Sequence, residues 1–257
     1  MRMIGVLAWN TWQENLRNKF FLLALVFGGI VLYLSLLLGL LASDQEVRVL
    51  LDFGLSFIEL LGLAGAVYGA ATPILREMET KTVYLILTRP VSRLEYLLGR
   101  FAGLMLSVLA AMVMMAVIHL GVLFMKGWAW TPAYGVAFLG AFLKVLVTAA
   151  IAEFLALFST SVLSGLTMTL ILWSLGHFIG EIRFLIAHQA RHSSLILPLN
   201  ILSYIMPNLK LFNLRDRMDR TSLAALEAPL AVWFGYALVY CGAWLAAAYL
   251  RLRRREF

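Results

Sequence analysis

Long unbroken apolar runs dominate this chain, and strict alternation of apolar and polar residues is absent. A helix that crosses a bilayer needs about 20 mostly apolar residues. Six stretches meet that requirement, at 21–42, 53–75, 101–125, 136–158, 162–180 and 230–250. They are rich in Leu, Ala, Gly and Met and lack the period-two pattern of a barrel strand. The pattern predicts a six-helix transmembrane bundle occupying residues 21–257 as a single domain.

Residues 1–20 read differently. Ile4, Leu7, Ala8, Trp12 and Leu16 recur at three- and four-residue spacing, with Asn10, Gln13, Glu14 and Arg17 on the opposite side. A basic, Trp-containing amphipathic segment is expected to lie in the membrane interface. The first apolar run is too long for a cleaved signal peptide, and Leu40-Leu41-Ala42 is a poor cleavage site.

Composition strengthens the membrane reading. The chain is 62% apolar and 14% charged, whereas soluble domains are about 45–50% apolar and about 25% charged. A single cysteine, Cys241, excludes an internal disulfide framework. The formal charge of +7 comes mostly from arginine. In so apolar a chain this excess serves orientation at a membrane surface, and no basic run is interleaved with aromatics as in a nucleic-acid groove.

Orientation follows from where those cations fall. With a cytoplasmic N-terminus, the cytoplasmic segments hold 12 Arg and Lys and the opposite side holds 8, of which only Arg48 and Lys126 are in short loops. Both termini are therefore expected in the cytoplasm, in a multi-pass protein of the cytoplasmic membrane. Residues 181–229 form a long extracytoplasmic segment whose part at 194–212 is apolar, yet broken by Pro198, Asn200, Pro207, Asn208 and Lys210. A seventh span would put Arg251–Arg255 outside, whereas a re-entrant or surface-lying hairpin preserves parity. Six spans with a structured, partly re-entrant external loop, whose irregular backbone protein buries, are therefore expected.

The segment 76–100 between the second and third spans carries the most chemistry. Its first half can form a short helix that breaks where Arg89 precedes Pro90. Ser92, with Glu95 three residues on, reads as the cap of a fresh helix. Two short helical pieces with mixed charged and apolar residues would suit a protein dock.

Glu77 and Glu79, Thr82, Leu85, then Pro90-Val91-Ser92-Arg93 and Gly99 resemble the loop of permease subunits of ABC-2-type ABC transporters. That exporter-like class includes nitrous-oxide-reductase maturation and gliding-motility permeases. Two positions depart from the pattern: Lys81 stands where glycine is usual, and Arg100 where lysine is common. A second stretch, Tyr204-Ile205-Met206-Pro207-Asn208-Leu209 with Phe212-Asn213-Leu214, resembles the segment before the last span in the same family. The resemblance implies that 76–100 is a cytoplasmic coupling helix seated in an ATPase subunit, with Glu77, Glu79, Thr82, Leu85, Arg89 and Arg93 as docking residues. It also implies two cytoplasmic ATPase subunits carrying ATP and Mg, and a second permease subunit, identical or not. With that helix, the expected fold class is an all-α membrane protein: a six-helix transmembrane bundle, an N-terminal amphipathic interfacial helix and a cytoplasmic coupling helix.

The chain itself has no P-loop. Phosphate cradling requires Gly-Lys-[Ser/Thr], and Lys19, Lys81, Lys126, Lys144 and Lys210 follow Asn, Thr, Met, Leu and Leu. No other catalytic motif is present, so no enzymatic role and no cofactor are expected on this chain.

Ionisable residues inside spans are functional candidates by default. Lys144 and Glu153 lie nine residues apart, about 180° around a helix, and cannot pair with each other. Glu153 and Glu59 are expected to make interhelical or interfacial hydrogen bonds, while Lys144 is deeper. His177 with Glu181, and His188 with His192, have i,i+4 spacing but fall short of a metal site. Gly65-x-x-x-Gly69 is a candidate helix-packing face. Met105, Met112, Met114 and Met115 suit ordinary packing better than a substrate lining.

The sequence thus favours a permease moving an unidentified substrate by alternating access, driven by a separate ATPase. The rivals are an ion-coupled secondary transporter using Lys144 and Glu153, which would need an internal repeat that is not evident, and a non-transporting membrane anchor of an extracytoplasmic machine.

Overall fold

The computed structural model describes residues 2–17, 19–41, 46–79, 92–188, 196–213 and 223–254. Among these residues every regular element is a helix. They run in the order α1 (Arg2–Arg17), α2 (Lys19–Leu41), α3 (Glu46–Glu79), α4 (Arg93–Met125), α5 (Pro132–Ala156), α6 (Val162–His177), α7 (Ile179–His188), α8 (Ile196–Ile205), a 3₁₀ turn (Leu209–Phe212) and α9 (Leu223–Arg254).

Five of these helices, α2, α3, α4, α5 and α9, are long and apolar enough to cross a membrane. The sixth predicted span is shorter than expected. Of residues 162–180, only Val162–His177 form the 16-residue helix α6, and a bend at Phe178 separates it from α7. Outward-facing Val26, Phe27, Ile30, Val117, Leu238 and Val239 are all exposed. So much apolar surface on a packed bundle marks a multi-pass membrane protein.

Helix ends follow local chemistry. Ser92 caps α4 as expected: its Oγ accepts from the Glu95 N–H at 3.2 Å, and Glu95 Oε2 accepts from the Ser92 N–H at 3.1 Å. At the other end of α4, Gly127 adopts φ +78° and lets the Trp128 N–H reach the Leu123 carbonyl at 3.1 Å. Pro132 opens α5 in its first turn, and Ser161 caps α6.

The segment 76–100 is not built as two short surface helices in its described parts. Residues 76–79 are the last turn of the continuous 34-residue α3, and Arg93 begins the 33-residue α4. The capping box starts a long helix, because beyond Arg100 the mostly apolar run continues to Met125. Thr82, Leu85 and Arg89 lie outside the described residues.

Close approach of α3 and α4 rests on Gly54, Gly62 and Gly69. A Cβ at Gly62 would lie 2.7 Å from Met112 Sδ, one at Gly54 would overlap the His119 ring, and one at Gly69 would meet Leu104. Gly65 has no atom near its missing Cβ, so the packing face repeats at eight and seven residues and the Gly65-x-x-x-Gly69 match is not the seam. Met105, Met112 and Met115 fill this core, and Met114 is exposed.

α1 packs along the start of α4, where Gly99 and Gly103 admit Leu7, Ala8 and Thr11. Its buried seam is Ala8, Thr11 and Asn15, with Asn15 Nδ2 donating to Ser107 Oγ at 3.4 Å. Of the expected stripe, Ala8 is buried, Ile4, Leu7 and Trp12 are half-buried and Leu16 is exposed. Val6, Trp9 and Leu16 form a separate exposed apolar face.

Candidate functional site: three polar levels inside the bundle

α3 and α5 begin at the same end of the bundle and run side by side, so equal distances along them reach equal depths. The groups that meet follow the same order, the Leu50 carbonyl, Glu59 and the half-buried Gly69 on α3 and Tyr134, Lys144 and Glu153 on α5. α4 runs back between the two ends and contributes His119 and Arg100.

The first level joins His119, Tyr134 and Leu50. A carbonyl only accepts, so the contact of His119 Nε2 with Leu50 O at 3.1 Å puts the proton on Nε2. Nδ1 of the neutral ring then accepts from Tyr134 OH at 3.1 Å. The ring is fully buried and both nitrogens are satisfied, which makes it a structural tie between α3, α4 and α5.

The second level is an ion pair. Lys144 Nζ donates to both carboxylate oxygens of Glu59, at 2.9 and 3.1 Å, with both residues at most 5% exposed. Sequence reasoning left Lys144 without a partner. The missing signal is topological: Glu59 lies about 20 Å along α3 and Lys144 about 18 Å along α5 at 1.5 Å per residue, which matches their depths once the two helices are known to start together.

The third level is a half-enclosed cleft lined by Thr11, Gly69, Ala70, Pro73, Ile74, Arg100, Phe101, Leu104 and Glu153. Glu153 is 2% exposed, and its Oε2 has no hydrogen-bond partner among the described residues. Arg100 lies within electrostatic range of that carboxylate and 4.0 Å from Glu14 of α1. The cleft sits at the end of the bundle that carries Arg76, Arg93, Arg251, Arg253 and Arg254.

At this arginine-rich end Arg93 reaches across to α9. Its Nη1 donates to the Leu252 carbonyl at 2.7 Å and the Arg253 carbonyl at 3.1 Å, in the last turn of α9. Arg251 stacks over Phe158 at 4.7 Å. Glu77 and Glu79 fall in the last turn of α3 at the same end.

At the opposite end, residues 207–213 fold into the bundle. Leu209 and Phe212 are buried with Leu143, Val147, Trp233 and Ala237, and the Asn208 N–H donates to Tyr236 OH at 2.7 Å. Gly176 leaves room for Pro207 and Leu209. Lys210 pairs with Glu181 at 2.6 Å, and this contact holds the Glu181 carboxyl below its ordinary range. His177 Nδ1 donates to the Trp173 carbonyl at 3.0 Å, and among the described residues no three His, Cys, Asp or Glu side chains gather as metal ligands.

The fold and these levels define a multi-pass helical membrane protein with a few polar groups set in an apolar core. Compared with protein-family models and with curated proteins, the chain matches none.

Proposed function

We propose that this chain is the permease subunit of an ABC-type exporter, energised by ATP and Mg held on a separate cytoplasmic ATPase. The observation that carries the reading is how the arginine-rich end is joined. The segment 76–100 connects the two longest helices of the bundle, and Arg93 at its exit holds the last turn of α9. A push on this one segment therefore acts on α3, α4 and α9 together. The residues Glu77, Glu79, Thr82, Leu85, Arg89 and Arg93 supply the mixed charged and apolar dock that the resemblance implies.

In this reading the arginine-rich end faces the cytoplasm, by the excess of arginine and lysine there. α6 is the shortest of six spans, both termini are cytoplasmic, and the Val6, Trp9 and Leu16 face of α1 lies against membrane lipid. Two copies of the ATPase and a second permease subunit complete the transporter, with the path at the subunit interface. ATP-driven closure of the ATPases moves the 76–100 segments and exposes that path alternately to each side.

Photo-crosslinking tests the dock. A photoreactive residue at position 85, activated in native membranes, is expected to capture a cytoplasmic nucleotide-binding protein, and one at the exposed Leu238 is not. Capture of no such protein at 85 contradicts the reading.

A further inference from the structure

Glu153 is the one buried carboxylate of the three levels whose geometry leaves it unexplained. Glu59 has Lys144, yet Glu153, equally buried, has an oxygen with no hydrogen-bond partner among the described residues. A carboxylate withdrawn from water without hydrogen bonds is costly, and such groups are neutralised or matched by a ligand. The cleft beside it has room for about one water molecule. That size suits a water molecule better than a hydrated metal ion or an organic cation.

The cleft wall suits a proton held on a carboxyl and exchanged through water. Pro73 has no N–H, so the Gly69 carbonyl on the wall lacks its usual helical donor. Thr11 adds a hydroxyl from α1. Among the described residues, the charged and titratable groups facing Glu153 are few. Arg100 comes from α4, with Glu14 of α1 behind it, and the Cys241 thiol comes from α9. α3 lines the cleft without an ionisable side chain. On α5 itself, Lys144 is about 14 Å away and already paired.

We propose that Glu153 is a proton-binding site, loaded through the α1–α3–α4 cleft from the arginine-rich end of the bundle. With the proton bound, the buried carboxyl is neutral and Arg100 is left to Glu14. With the proton released to water in the cleft, the carboxylate faces Arg100, and α1 and α4 are drawn towards α5. The site belongs to this chain alone and stands or falls independently of any ATPase.

The test is labelling with dicyclohexylcarbodiimide, which adds to protonated carboxyls in apolar surroundings, on the purified full chain in lipid nanodiscs. Peptide mass spectrometry is expected to find the label on Glu153, falling about tenfold per pH unit above the midpoint of the site. Paired Glu59 is expected to stay unlabelled. Loss of a protonated-carboxyl infrared band in Glu153→Gln is the second expected result, and the labelling profile of the unaltered chain decides alone if that variant does not fold. Labelling that is absent or flat with pH would overturn the proposal. So would protection by sodium or potassium at fixed pH, which would make the site one for a metal cation.

Discussion

Lys144 of α5 and Glu59 of α3 meet head to head within the bundle, one ammonium against both oxygens of one carboxylate at 2.9 and 3.1 Å. Thr148 Oγ1 closes the local hydrogen bonding by donating to the Lys144 carbonyl at 2.8 Å. Removing one partner of such a pair leaves a buried charge, at a cost of roughly 3–5 kcal/mol, while replacing both with apolar groups of similar volume is often neutral. Glu59→Leu and Lys144→Met are each expected to lower the thermal unfolding temperature in detergent strongly, and the double variant to regain most of the loss. A double variant as unstable as the sum of the singles contradicts this account.

The α3–α4 seam makes a sharper structural prediction. Gly62→Val drives two methyl groups towards Met112 and is expected to cost about 1–3 kcal/mol as overpacking. Gly65→Ala meets no atom and adds a better helix former, so stability is expected to hold or rise slightly. Thermal unfolding of the two variants side by side distinguishes this seam from one centred on Gly65.

These two cases show what the sequence makes legible. Apolar run length locates the five long helices, since lipid forces each backbone donor to be satisfied inside its own helix, but α3, α4 and α9 begin seven or eight residues before the predicted runs. The Ser92–Glu95 cap is equally local and equally readable. The Lys144–Glu59 pair, the glycine seam and the Asn15–Ser107 contact depend on which helices are neighbours, and no local pattern contains that. α6 falls short of its predicted length because the bend at Phe178 follows tertiary packing, where Gly176 accommodates Leu209 and Pro207. Leu209 and Phe212 are buried by side chains of α5 and α9, a contact that again depends on which helices are neighbours.

Arg93 ties the start of α4 to the end of α9. Hydrogen bonds to charged groups contribute roughly 1.5–3 kcal/mol where they are well formed. In Arg93→Ala, amide hydrogen exchange over residues 250–254 is expected to accelerate several-fold, with the far-end residues 207–213 unchanged. Equal exchange in both chains contradicts the tie.

The Glu181–Lys210 pair predicts a pH dependence at the opposite end. The Lys210 hydrogen bond lowers the Glu181 carboxyl in the folded chain, so its stabilising effect is complete above the unfolded carboxyl value and is lost as pH falls through the lowered folded value. Exchange protection of residues 207–213 is expected to weaken in acid, below the ordinary carboxyl range. Lys210→Met is expected to remove that dependence.

The most direct measurement of the exporter reading is affinity purification of the tagged full chain from native membranes in mild detergent, with mass spectrometry of what accompanies it and an assay of ATP hydrolysis. The account predicts a co-purifying ABC ATPase whose turnover depends on the chain and is lost or uncoupled when Leu85 and Arg89 are changed to Asp and Ala. A chain that purifies without a nucleotide-hydrolysing partner contradicts it.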